Sequence, residues 1–222
     1  MTCIIGFEFI VNIKFSIVTT LYNSAAHLKE FYDLMSKEIE LLASDYQIIF
    51  IDDGSRDDSV AIAKKICDKN AKVNLHVLSR NFGHHHAMMK GLSCARGQYV
   101  FLIDCDLEES PSLLGEFYQI MQTKKVDMVY GVQANRKGKV WERFSGWLFY
   151  KITNWLTDFA IPKNVLTVRL MNKKIVDDIV KYKERVIFAH GVWASVGYKQ
   201  EPVIVKKACK GTSAYTFRRK LN

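Results

Sequence analysis

Four short apolar runs, each ending in polar residues and each followed by a segment of helical period, constrain this chain more than any other feature. Ile13 to Val18 ends in Thr19-Thr20-Leu21-Tyr22-Asn23, and Gln47 to Ile51 in Asp52-Asp53-Gly54-Ser55. Val73 to Leu78 ends in Ser79-Arg80-Asn81, and Tyr99 to Ile103 in Asp104-Cys105-Asp106. Runs this apolar read as strands buried on both faces. Between the first two, Leu28, Phe31, Met35, Ile39 and Leu42 recur at spacings of three and four, an amphipathic helix. Ser55 and Asp58 have capping-box-like spacing, which predicts a helix from there through Ile62 and Ile66. Further helices are predicted over His84 to Ala95 and Ser112 to Thr123. Strand and helix in strict alternation imply an α/β fold with a mostly parallel sheet and right-handed crossovers. The carboxyl ends of parallel strands share one edge, where open α/β sheets bind ligands. The polar strand ends therefore converge on one crevice.

Val126 to Gly131 reads as a fifth strand, followed by Arg136, Lys137, Lys139 and Arg143. Trp141, Phe144, Leu148, Ile152, Trp155 and Phe159 then recur at helical spacing. That stretch, about 139–160, reads either as a buried helix or as an interfacial one with Arg143 and Lys151 near lipid headgroups. Val165 to Met171 is predicted as a strand, Asn172 to Tyr182 as a helix and Lys199 to Lys206 as a late strand. Val186 to Val196 fits either element. A length of 222 residues suits one domain, and 49% hydrophobic with 25% charged residues excludes a disordered chain.

The net charge of +9 suits an anionic partner, and basic residues gather late, at Lys206, Lys207, Lys210, Arg218, Arg219 and Lys220. Five scattered cysteines without metal-ligand spacing read as reduced thiols of a cytoplasmic protein. Glu8 and Lys14 interrupt the apolar start, so neither a signal peptide nor a membrane span is expected.

Asp104 and Asp106 stand one residue apart at a buried strand's carboxyl end. Hard oxygen ligands without a His or Cys partner suit Mg²⁺ or Mn²⁺ rather than zinc. A divalent cation at a sheet edge suggests a diphosphate ligand. Asp53, at the end of the second strand, reads as an acceptor for a ribose or base edge, or as a helix-capping acid. No glycine-rich phosphate loop is present, which argues against a kinase or dehydrogenase. His84, His85 and His86 cannot all face one ion, because helix neighbours point about 100° apart. Contact of one of them with a nucleotide is the favoured reading. His190 reads as structural.

The segments TTLYNSAAHL, IIFIDDGSRDDS, LSRNFGHHHAMMKGL and FLIDCDLEESP, in this order, resemble the family 2 glycosyltransferases of GT-A fold. The nearest resemblance is to the polyprenyl-phosphate glycosyltransferases similar to dolichol-phosphate mannose synthase. It covers roughly residues 13–220 and implies a single catalytic domain over 1–222, with 206–222 a basic C-terminal segment. The resemblance implies inverting sugar transfer from a UDP- or GDP-linked donor to a polyprenyl phosphate, with transfer to a sugar hydroxyl of a lipopolysaccharide or capsule as the alternative. It implies Thr20, Tyr22, Asp53 and Asp104 around the nucleotide, with Asp104, Asp106 and Glu108 holding the metal. Arg136, with Arg143, would meet an acceptor phosphate, and Lys210-Gly211-Thr212-Ser213-Ala214-Tyr215 resembles a loop that closes over the site. Asp104, Asp106 and Arg136 form the implied catalytic set. The implied setting is peripheral, at the cytoplasmic membrane face, with no nucleic-acid partner and homo-oligomer formation left open. Thr167 stands where many members carry an acid before Phe-Arg-Leu, which keeps a nucleotide-sugar-binding module without turnover as a further alternative.

Overall fold

A computed structural model describes residues 13–133, 164–182 and 189–207. The described chain runs β1 (Phe15–Leu21), α1 (Ala25–Glu40), β2 (Tyr46–Asp52), α2 (Ser59–Lys69), β3 (Val73–Val77) and α3 (His84–Cys94). It continues through β4 (Tyr99–Leu102), α4 (Leu113–Lys124), β5 (Met128–Val132), β6 (Val165–Asn172), α5 (Lys173–Ile179), α6 (Ala189–Ser195) and β7 (Gln200–Ile204). Among the described residues the strands form one sheet in the order β3-β2-β1-β4-β6-β5-β7.

The first four strands are parallel, as the alternation predicts. Their order places a topological switch point between β1 and β4, where successive crossovers leave in opposite directions and open a crevice. β6 is the reversed strand, antiparallel to both β4 and β5, while β7 runs parallel to β5. The reversal brings Arg169 opposite Leu102, the last residue of β4.

Successive strand residues face opposite sides. On one side Ile17, Ile48, Phe50 and Phe101 pack with Leu28, Phe31, Met35 and Ile39 of α1 and Phe117 of α4. On the other, Val18, Ile49, Ile51 and Val100 pack with Met88 and Leu92 of α3 and Ile175 and Val176 of α5. Burying both faces is what makes these strands continuously apolar, and each large side chain contributes roughly 1.5–3 kcal/mol. Four of the five predicted α1 core positions are fully buried, and Leu42 packs at the margin.

Two boundaries differ from the sequence reading. β1 continues to Leu21, because Thr19 and Thr20 extend the ladder opposite Phe50 and Ile51. Helix α2 starts at Ser59 rather than Ser55. The Ser55 hydroxyl accepts the Asn23 amide at 2.9 Å, and Asp57 Oδ1 accepts the Ser59 amide at 3.0 Å, so the capping-box reading is wrong. The ambiguous stretch around 186–196 contains helix α6.

Candidate active site

The loops at the carboxyl edge are tied to one another by their own side chains. Asp52 Oδ2 accepts the amides of Gly54 and Ser55, each at 3.2 Å, and turns the chain sharply after β2. Gly54 sits at φ 76°, and a Cβ there would lie 2.8 Å from the Asn81 amide nitrogen. Only glycine tolerates both the left-handed conformation and that approach. Asn23 Oδ1 accepts the Arg56 amide at 2.9 Å, so the loops after β1, β2 and β3 pack as one unit.

Asp53 is 1% exposed. Its carboxylate accepts the Phe82 amide at 2.7 Å and the Gly83 amide at 2.9 Å. It therefore braces the entry to α3 rather than capping α2. Each oxygen keeps a further lone-pair site that a ligand could use. The first residue of α3 is His84. Its Nδ1 lies 3.1 Å from Thr20 Oγ1, and its Nε2 lies 3.8 Å from Asp104 Oδ1. One imidazole thus joins the end of β1 to the end of β4 across the switch point. Tyr22, two residues after Thr20, is half-buried, with its amide donating to Ser24 Oγ.

After β4 the chain alternates burial. Asp104 is partly open, Cys105 is buried and Asp106 is exposed. The Cys105 thiol donates to the Thr20 carbonyl at 3.5 Å, and burial pushes its pKa up to about 12. It is an inert wedge that leaves the aspartates on either side of it outside the core. Leu107 then takes φ 60° with its side chain buried. A bulky residue there is strained, of order 1–3 kcal/mol, and such strain gathers at functional sites. The turn brings the Glu108 amide 3.0 Å from Asp106 Oδ1.

The acids of this loop crowd one another. Although the residue reaches solvent, the loop around it strips water from the Asp106 carboxyl and pushes its pKa up, the Glu108 amide pulls it down, and Asp104 and Glu108 push it up again. Burial first and the Asp104 charge second push Glu109 up to about 7. Lys207, from the segment after β7, reaches in to lie 2.6 Å from Glu108 Oε2 and 3.1 Å from Glu109 Oε1. Burial opposes its charge, but the two glutamates more than offset that and hold its pKa above the ordinary lysine range. On the far side, the Arg169 guanidinium is 1% exposed. It donates to the carbonyls of Thr167 and Leu166, at 2.9 and 2.8 Å, and stacks on the Trp193 ring of α6. Burial lowers its pKa, while Tyr130 and Asp104 oppose that shift.

Among the described residues, no three His, Cys, Asp or Glu side chains form a ready-made metal cage. A hard divalent cation does not require one: Mg²⁺ takes one or two carboxylates and completes its shell with substrate phosphates and water. Asp104 and Asp106, beside carboxyls that repel one another, fit such an ion. Glu108, the third implied ligand, is paired with Lys207 instead.

Of the residues singled out by sequence, Thr20, Asp53 and Asp104 lie along one edge, with Asp106 and Glu108 on the adjoining loop. Arg136, Arg143, the predicted helix at 139–160, the Lys210–Tyr215 segment and the His190 side chain lie outside the described residues. Sequence reasoning missed the bridging role of His84, although the three histidines at a helix start marked the place. It named Lys207 only as one of the late basic residues and missed its pairing with Glu108, 99 residues away, and it missed the buried Arg169.

The sequence profile of glycosyl transferase family 2 matches residues 16–183. The chain belongs to that family. A relative from Mycobacterium tuberculosis described as "Putative glycosyltransferases" is 43% identical over 208 residues, covering 94% of this chain and 61% of the relative. The prophage bactoprenol glucosyl transferase homolog of Escherichia coli is 30% identical, covering 86% of this chain and 62% of the relative. The family 2 chain thus spans about three fifths of the length of these relatives. Its fold matches the mannosyltransferase PcManGT of Pyrobaculum calidifontis, solved with GDP-Man and Mn²⁺, with TM-score 0.61 and 15% identity over 86% of this chain and 56% of that one. It also matches glucosyl-3-phosphoglycerate synthase of M. tuberculosis, solved with Mn²⁺ and UDP, with TM-score 0.58 and 18% identity over 90% and 73%. The mostly parallel mixed sheet is the GT-A fold of this family 2 member. No helix among the described residues is long and apolar enough to cross a membrane.

Proposed function

We propose that the chain carries an inverting glycosyltransferase domain that moves a sugar from a UDP- or GDP-linked donor to a polyprenyl phosphate at the inner membrane face. The observation that carries this reading is the contact of His84 with both Thr20 and Asp104, which makes one continuous edge of the nucleotide side and the carboxylate side. The nucleoside would lie over the loops after β1 and β2, with Thr20, Tyr22 and Asp53, and the diphosphate would lie toward Asp104 and Asp106. A divalent cation held by Asp104 and Asp106 would supply neutralisation of charge developing on the leaving diphosphate.

The acceptor oxygen forms a bond to the anomeric carbon from the face opposite the diphosphate. The carbon–oxygen bond to the diphosphate breaks, and the nucleoside diphosphate leaves with its electron pair. A phosphate monoester is already ionised at neutral pH and needs positioning and charge neutralisation rather than a general base, which suits a chain with a net charge of +9. Arg136, with Arg143, is assigned to positioning that phosphate. The polyprenyl acceptor is favoured by likeness to relatives described as bactoprenol glucosyl transferases. The whole of 1–222 is taken as one domain.

The test is donor consumption by the full chain with Mn²⁺, with and without polyprenyl phosphate. Acceleration by the lipid phosphate, lost in Asp106→Ala, is expected. Acceleration by a glycan acceptor and none by the lipid would overturn the acceptor assignment.

A further inference from the structure

The acidic loop after β4 holds its own cation. The Lys207 ammonium lies within hydrogen-bond reach of both Glu108 and Glu109. Glu109 is 1% exposed, and its second oxygen, Oε2, is buried with no hydrogen-bond partner. A buried carboxyl group must either take up a proton or be compensated by positive charge. With Asp104 and Asp106 alongside, the ammonium is the cation in contact with these glutamates among the described residues. Lys207 also stands just beyond β7, at the start of the segment that leads to Lys210-Gly211-Thr212-Ser213-Ala214-Tyr215.

We propose that the loop is a cation site with two alternative occupants: the Lys207 ammonium when no donor is bound, and a divalent cation recruited together with the donor diphosphate. In the first state Lys207 holds Glu108, so a metal ion meets only Asp104 and Asp106 and binds weakly. In the second, the diphosphate brings phosphate oxygens to the metal and an anion for the ammonium, and Glu108 is released to the metal. One side chain thereby couples metal binding to donor binding. This inference rests on the donor-site reading above and adds to it the order of events and the residue that enforces it.

The experiment is isothermal titration of Mn²⁺ into the full chain, without nucleotide and then with a saturating UDP- or GDP-sugar. It compares wild type, Lys207→Met, Glu108→Gln and the double variant. Freed from Lys207, Glu108 should tighten nucleotide-free Mn²⁺ binding in Lys207→Met by about tenfold, a usual size for coupled sites. Without nucleotide, Glu108→Gln should change wild-type affinity by less than about threefold, yet remove the gain in the Lys207→Met background, a non-additivity expected of groups in one network. Thermal midpoints of the four proteins separate misfolding from an affinity change. If Glu108→Gln weakens nucleotide-free Mn²⁺ binding equally in both backgrounds, Lys207 acts only as a distant charge and the inference falls. If Mn²⁺ binds none of the proteins even with donor present, the donor-site reading falls with it.

Discussion

Replacing Asp53 tests whether the nucleotide edge is held by the brace across β2 and α3. The carboxylate is 1% exposed and accepts two backbone amides, at 2.7 and 2.9 Å. Hydrogen bonds to a charged group contribute roughly 1.5–3 kcal/mol each, and a buried donor left unmade costs about 1–3 kcal/mol. Asp53→Ala strands both amides and should destabilise the domain by roughly 3–5 kcal/mol. Asp53→Asn keeps one acceptor oxygen and turns an amide group toward the other N–H, so about half that loss is expected. Urea unfolding followed by tryptophan fluorescence and circular dichroism measures both. With a slope of about 3 kcal/mol/M, Asp53→Ala should lower the midpoint by more than about 1 M. The loss should also displace His84, which follows Gly83 directly, and weaken donor binding in proportion. A midpoint within about 0.3 M of wild type would refute the brace. Near-native stability in Asp53→Asn together with lost donor binding would instead assign the carboxylate to the ligand.

Gly54→Ala should destabilise by more than about 2 kcal/mol, because the added Cβ meets the Asn81 amide in a left-handed conformation; unfolding at a wild-type midpoint would contradict this. Glu109 has a folded-state pKa near 7 against an ordinary 4.5, so its contribution is fully present below about pH 4.5 and is lost as pH rises through 7. In the metal-free protein Glu109→Gln should therefore flatten the fall in stability between about pH 5 and 8, of order 3 kcal/mol, as read from unfolding midpoints across that range. His84→Ala should weaken donor binding by about tenfold with little change in stability, and His84→Gln should restore part of it through the Thr20 contact; equal thermal loss without an affinity change would make His84 structural.

The sheet was legible because its strands are buried on both faces and its helices on one, so hydrophobic period carried the information. Thr20, Asp53 and Asp104 were legible as a group for the same reason: parallel strands bring their carboxyl ends to one edge. The direction of β6 was not, because a strand buried on both faces shows the same pattern in either direction, and Arg169 was hidden with it. The start of α2 was misread because Ser55 and Asp57 spend their side chains on Asn23 and on Ser59 rather than on a cap at Ser55. Lys207 and its glutamates meet only through the β5–β7 pairing that follows the reversed strand, and no local pattern announces a contact across 99 residues. The inert character of Cys105 follows from burial against β1, which spacing alone does not show.

In the proposed site, Asp104 and Asp106 hold a nucleotide diphosphate through a divalent metal ion. Titration of a UDP- and GDP-sugar panel into the full chain, with Mn²⁺ and with chelator, tests it most directly. Binding of one donor class that requires the metal, and that Asp106→Ala weakens by at least about a hundredfold, is the predicted result. Equal binding in chelator, or binding unchanged in Asp106→Ala, would contradict it.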